Sequence, residues 1–340
     1  MITNYTRFGR GLLICGVLGM VSIGTARGDS LGHLNDEFED GSKLGDWTQN
    51  DVAEGWASHW ETWDIDGSNA GKMTVMPYSS SWFGEYVSGL AYKKVSGDFA
   101  ITTEVSVTNR AGDGLPTAAF SLAGLMIRKG RPEMEAGGPD AWTPGGENYL
   151  FLALGYASAG FGGPGQPAPG PGPHFERKST TNSSSSLVAT QNEATTAQLQ
   201  IARVGDSVIL MYKRPQDTEW QVHWRYDRPD MAGELQVGMH AYTNWPEASS
   251  VPAFEQNTTT NDGPGFNPDL IAQYEYARFA RVELPDELVG VDLVGDATDE
   301  QLLSFLGESL SQPVPEPSAV ALMGMGAWMC IGRRNRRRME

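Results

Sequence analysis

The sequence predicts an all-β chain: two antiparallel sheets packed as a sandwich, with an N-terminal signal helix and short C-terminal helices outside it. Three observations predict it. About a dozen segments carry the two-residue alternation or short apolar runs of strands. Forty-one glycines and twenty prolines punctuate the 340 residues with turns. No long amphipathic helix pattern occurs between residues 30 and 285, a length that suits one large β domain.

In chain order, Asp36 to Gly41 reads as a first strand, with a turn at Leu44 to Trp47. Lys72 to Met76 alternates, and Leu90 to Val95 follows as a strand. Phe99 to Thr108 places Phe99, Ile101, Thr103, Val105 and Val107 on one face. Ala119 to Arg128 is a further strong strand. Tyr149 to Tyr156 is a near-continuous apolar run, as expected of a central strand covered on both faces. Phe175 to Thr180 comes next. Leu199 to Val204 and Ser207 to Lys213 flank Gly205-Asp206, a two-residue hairpin turn suited to type II′. Trp220 to Tyr226, Leu235 to Tyr242 and Tyr274 to Leu284 complete the set. Three insertions interrupt it: Arg131–Gly146, the Gly/Pro-rich Ala159–Pro173, and Asn244–Leu270. Beyond Pro285, Thr298 with Gln301 forms a capping box, and Leu302, Leu303, Phe305, Leu306 and Leu310 have helical spacing, so a helix is expected over Asp299–Leu310.

The two ends have a different chemistry. Arg7 and Arg10 precede the apolar stretch Gly11 to Gly24, and Gly24-Thr25-Ala26 offers small residues at a cleavage site. Residues 1–26 therefore read as a signal peptide. At the other end, Ser318 to Gly332 is uncharged, shorter than the roughly 20 residues that span a bilayer comfortably, and is followed by five arginines between Arg333 and Arg338. Basic flanks stay on the cytoplasmic side, so this segment holds the preceding chain outside. The layout is 1–26 signal peptide, 30–285 sandwich, 286–312 linker with a short helix, and 313–340 sorting tail. The membrane is met only through the terminal segments.

Cys15 and Cys330, the only cysteines, lie in those ends. The domain between them has no disulfide, thiolate nucleophile or cysteine-bound metal, and its stability rests on its core. Of the 25 basic and 42 acidic residues, residues 29–312 keep 17 bases and 40 acids, a net charge of −23. Such a surface repels nucleic acid, which is excluded as a partner.

Val314-Pro315-Glu316-Pro317-Ser318, the apolar segment and the terminal arginines, in that order, resemble the PEP-CTERM signal of exported bacterial proteins. The resemblance implies recognition by an exosortase and the secretion machinery, and processing near Pro315, Glu316 and Pro317. It places the mature protein at the cell envelope, surface or extracellular matrix, with the tail as a transient anchor. From Asp36 to Leu284 the order of features resembles the concanavalin A-like lectin/glucanase superfamily in its laminin-G-like style. The points of likeness are Asp36-Glu37-Phe38, Gly97-Asp98-Phe99, Ala123 to Arg128, Glu147-Asn148-Tyr149, Leu199 to Asp206 with Trp220, Val237 to Ala241, and Phe279 to Val282. This resemblance implies a jelly-roll sandwich whose curved sheet carries a carbohydrate groove, with a polysaccharide as partner.

Sugar binding needs flat aromatics and planar polar groups. Arg128, Tyr149, Glu176, His240, Tyr242 and Trp245 fall on or beside neighbouring strands, and Trp142 comes from the first insertion. The expectation is that they converge on one groove. The alternative is that the aromatics are core and that Arg128 and Glu176 form an ion pair. The strand-borne E-x-D-x-x-E of retaining glycosidases in that superfamily is missing from the sequence, and no catalytic residue is assigned. No cofactor is expected. A structural calcium would find closely spaced oxygens at Asp64 and Asp66, in a loop that lacks the third acid and distal Glu of an EF-hand. The five histidines lack zinc-site spacing.

Overall fold

Alternation along the strands sorts the apolar residues onto facing surfaces, and the sandwich follows. The computed structural model describes residues 30–157 and 170–307. Its strands are β1 Thr48–Gln49, β2 Trp60–Ile65, β3 Met73–Pro77, β4 Gly89–Val95, β5 Phe99–Thr108, β6 Ser121–Lys129, β7 Tyr149–Ala157 and β8 Gly172–Thr181. They continue as β9 Ser184–Gln191, β10 Thr196–Val204, β11 Ser207–Lys213, β12 Gln221–Asp227, β13 Leu235–Tyr242, β14 Ile271–Tyr274 and β15 Arg278–Ala280. The helices are short: α1 Asn50–Glu54, α2 Pro132–Gly137, α3 Trp245–Ala248, α4 Ala253–Thr258 and α5 Asp299–Leu306.

One sheet, here the front sheet, has the order β1-β4-β13-β6-β7-β8-β9. The back sheet runs β12-β11-β10-β5-β14-β3-β2, with β15 also on β5. All pairings between these strands are antiparallel. Sequence neighbours change sheet: β4 is in front, β5 behind and β6 in front again. This is the expected two-sheet antiparallel sandwich.

The core between the sheets is built from alternate residues, among them Phe99, Ile101 and Val105 of β5, Leu199 and Ile201 of β10, and Leu125, Ile127, Leu150 and Leu152 of the front sheet. Two further apolar layers lie outside. One covers the outer face of the front sheet. The other covers the back sheet, where Leu288, Leu293, Ala297, Leu302 and Leu306 pack on Ala202, Ile209 and Met211. Residues 286–307 thus form a belt docked on the sandwich. The Gln200 amide donates to the Leu306 carbonyl at 3.2 Å.

The hairpin turn is as expected: Val204 pairs with Ser207, Gly205 has φ +58°, and Asp206 is not in the left-handed region. Other details differ. Asp36–Gly41 is not a strand; Asp36 makes one isolated bridge to Ala277, and Gly41–Asp46 is a 3-10 helix. Tyr274–Leu284 is not one strand. Tyr274 is the last residue of β14, which lies mostly before it, and within the rest only Arg278–Ala280 forms a strand, β15; both pair with β5. β1, β2 and β9 were not foreseen. The serine-rich start of β9 reads as a loop, yet its register with β8 runs from Thr181↔Ser184 to His174↔Gln191. The capping box at Thr298 and Gln301 is present, and the helix is described to Leu306. Leu310 lies outside the described residues.

Leu302 of the belt is fully buried against the back sheet. Leu302→Ala removes that contact and is expected to cost about 2–5 kcal/mol, read as a lower urea midpoint. An unchanged midpoint would show that the belt is not docked in solution.

Candidate functional site

The front sheet's outer face is defined by register. Gln236, Arg128, Tyr149 and Thr180 form one cross-strand row. Gly238, Met126, Phe151 and Lys178 form the next, and His240, Gly124, Ala153 and Glu176 the third. Tyr242 and Leu122 pair in the row beyond. Arg128, Tyr149, Glu176, His240 and Tyr242 therefore share one face, as the alternation implied. They do not line an open groove: all five are fully buried.

The reason is a cap. Helices α1 and α2, the segment 78–88 and the insertion with α3 and α4 lie over this face. Asn50 ties α1 to the sheet, accepting from Leu90 N at 2.6 Å and donating to Ser88 O at 2.9 Å. Asn257 of α4 accepts from Val87 N and donates to Glu85 O.

At one end the cap is pinned by Arg128. Its Nε donates to Glu147 Oε2 at 2.9 Å, and Nη2 donates to Glu54 Oε2 and Glu147 Oε1 at 3.0 Å each. Nη1 donates to Gln236 Oε1 at 2.8 Å and to Glu54 Oε1. All five guanidinium N–H bonds are used, so none is left for a ligand. The ion pair expected between Arg128 and Glu176 does not form; its partners are Glu54 and Glu147. Burial opposes the Arg128 charge, but these carboxylates outweigh it and hold its pKa well above the usual value. Arg131 adds a second cation to Glu147 at 3.2 Å. Burial raises Glu147, and the two arginines reverse this, leaving it below the usual carboxylate range.

At the other end lies a different cluster. The Lys178 ammonium, buried beneath the cap, pairs with Glu176 at 3.0 Å and donates to the Trp82 carbonyl at 2.5 Å. It sits 5.0–5.4 Å from the ring centres of Phe83, Phe151 and Tyr242. Burial lowers its pKa, with Glu176 acting against this. The Tyr242 hydroxyl donates to Glu176 Oε1 at 2.8 Å. His240 packs on Phe151 at 4.4 Å, and burial, then Lys178, keep it neutral.

Above this cluster a small well opens at the surface, with a volume of about 70 Å³. Lys178 and Tyr242 lie at its base, and Phe83, Phe120, Leu187 and Trp245 wall it. Asn244 takes φ +67°, which turns the chain from β13 into α3 and brings Trp245 N onto Ala119 O at 3.1 Å. Phe120 beside it has φ +58°, a left-handed conformation that bulky residues rarely enter. Trp245 touches Phe83 at 5.3 Å and Tyr86 at 5.2 Å.

The structure thus joins Glu176, His240, Tyr242 and Trp245. Arg128 and Tyr149 are at the far end of the same face, and Trp142 packs instead on Phe254 at 5.3 Å. Sequence reading missed Lys178, Phe83, Glu54 and Glu147. Lys178 had a usable signal, because it stands two residues from Glu176 on the same strand face. Asp64 and Asp66 serve their own turn: Asp64 accepts from Gly67 N, Ser68 N and Ser68 Oγ, and Asp66 from Gly71 N. Among the described residues no three His, Cys, Asp or Glu side chains are disposed to hold a metal, and no helix is long and apolar enough to cross a membrane.

Comparison with known proteins adds the following. Residues 313–338 match the PEP-CTERM protein-sorting motif. The motif indicates exosortase-sorted export to the envelope or surface. Pro315, Glu316 and Pro317 lie outside the described residues. No curated protein matches the chain. Among solved structures, a functionally unknown protein from Saccharomyces cerevisiae is 13% identical with a TM-score of 0.43, covering 70% of this chain and 97% of that one. The GH43 BlXynB protein from Bacillus licheniformis is 11% identical with a TM-score of 0.45; the match covers 73% of this chain and 39% of that protein. Basic winged bean lectin is 13% identical with a TM-score of 0.35, covering 66% of this chain and 92% of the lectin. Likeness of this degree assigns no activity.

Two outcomes follow from this geometry. Arg128→Met leaves Glu54 and Glu147 facing each other without their shared cation and is expected to cost about 3–5 kcal/mol. Adding Glu54→Gln and Glu147→Gln should recover part of that loss in the same denaturation assay. Burial holds His59 down at about 4 and His223 at about 3. Unfolded, these groups take up protons below about 6.5. Each therefore removes ~1.4 kcal/mol of stability per pH unit as pH falls from 6.5 toward those values. The urea midpoint should drop between pH 6.5 and 4.5, and drop less in His223→Phe. A flat midpoint would contradict the neutral burial of these rings.

Proposed function

We propose that the exported sandwich is a polysaccharide-binding module of the cell surface or extracellular matrix, and that the aromatic-rimmed well over Lys178 and Tyr242 is where it holds its ligand. The observation that carries this reading is the pairing of aromatic rings around the opening, Phe83 and Trp245 half-buried, with polar groups at the base. Sugars offer one apolar face to an aromatic ring and hydroxyls to fixed donors and acceptors. The three carboxylates buried on this face hold cations, Glu54 and Glu147 that of Arg128 and Glu176, through Oε1, that of Lys178, with Tyr242 donating to the same oxygen. That favours holding a glycan over cleaving one, which needs two carboxylates facing a single bond.

In the same reading, residues 1–26 direct export. An exosortase processes the tail near Pro315, Glu316 and Pro317, and the membrane holds the protein only until then.

Glycan-array binding by the 27–312 protein, followed by calorimetry, tests the proposal. Trp245→Ala is expected to weaken binding about tenfold, since stacking on one ring contributes roughly 0.5–1.5 kcal/mol beyond its area burial, with no release of reducing sugar. Silence across the array, or turnover, would refute it.

A further inference from the structure

The well's size and charge name the group it accepts. We infer, building on the polysaccharide reading above, that the well receives the exocyclic hydroxymethyl of a neutral hexose and discriminates against pentoses and hexuronates.

Its volume of about 70 Å³ is about half that of a cavity of roughly 150 Å³ that holds one benzene ring. That admits a CH2OH group but not a pyranose ring, so the ring stays at the rim, beside Trp245 and Phe83. The walls match the two halves of such a group. Phe120, Leu187 and Trp245 are apolar and suit the methylene. At the base, Lys178 has three N–H bonds and uses one on Glu176 and one on the Trp82 carbonyl. The third is available to a hydroxyl oxygen. The Tyr242 oxygen, which donates its proton to Glu176, can accept the hydroxyl proton in return. A hydroxyl needs one donor and one acceptor, and the base supplies both.

Charge sets the discrimination. The Lys178 cation is already compensated by Glu176 at 3.0 Å. A hexuronate would replace CH2OH with a carboxylate and bring a second anion beside Glu176 in a site shielded from water. Like charges in such surroundings repel strongly and raise the cost of ionisation. The net −23 of the domain acts in the same direction. A pentose of the same ring lacks the group altogether and leaves the well unfilled.

The test is calorimetry of the 27–312 protein with three oligosaccharides of matched linkage and length: β-1,4-linked glucose, xylose and glucuronate. The hexose series is expected to bind at least about tenfold tighter than either of the others. Leu187→Trp, at a half-buried edge position, fills the well and should abolish that preference while leaving the thermal midpoint in place. Equal binding of all three, or tighter binding of xylose or glucuronate, overturns this inference and leaves polysaccharide binding intact. Binding of none of the three, with silence across the array, overturns both. Retention of the hexose preference in folded Leu187→Trp removes the well from the account.

Discussion

The arrangement of this protein depends on one buried guanidinium. Arg128 stands in a central strand of the front sheet, and Glu54, one of its two carboxylates, comes from α1, 74 residues earlier. The other, Glu147, precedes β7. A single cation with five satisfied N–H bonds therefore ties a short, weak helix to a rigid sheet. Five-residue α1 has no independent stability, and helices of that length depend on tertiary contacts. Once formed, the clamp has no low-energy alternative, because separating it would leave ions unpaired in a dry interior. The outer face of the front sheet is consequently a second core.

That second core decides what is left for a ligand. A bare sheet face would offer a broad groove. Here α1, α2 and the 244–270 insertion cover it, and the well opens toward the end farthest from Arg128. The remaining opening is narrow and walled by Phe83, Phe120 and Trp245. Two residues in left-handed backbone, Phe120 and Asn244, flank the turn that sets Trp245 at the rim. Strain of this kind is held where surrounding structure overdetermines it, often beside functional surfaces. The polar groups beneath are held as firmly. Lys178, Glu176 and Tyr242 are linked to one another, so a ligand meets a preorganised base.

The back sheet is covered by a different means. The belt of residues 286–307 lays Leu288, Leu293, Leu302 and Leu306 along it, and α5 ends at Leu306. The chain then continues toward the sorting motif at 313–338. The belt's contacts lie on the back sheet and the well opens from the front one, so the belt and the proposed ligand site occupy opposite faces of the sandwich.

Much of this was legible in the sequence, and the rest was not, for a physical reason. Local pattern alone determined the strands from β3 to β8 and from β10 to β13, the Gly205-Asp206 hairpin, the Thr298 cap, and the shared face of Arg128, Glu176, His240 and Tyr242. These follow from two-residue and 3.6-residue periodicity and from turn chemistry, which are properties of neighbouring residues. The sorting tail was readable for the same reason, as an ordered string of rigid, apolar and basic segments. Tertiary structure decided what those side chains do. On the strand pattern Arg128 and Glu176 were open to two readings, as ligand groups or as an ion pair with each other. Only the packing of α1 beside β6 assigned Arg128 to Glu54 and Glu147, and only the cap buried Tyr149 and closed the groove. Such contacts join residues far apart in the chain, and their formation depends on which loops cover which face. Strand alternation names a residue's side of a sheet and carries no information about what lies on top of it.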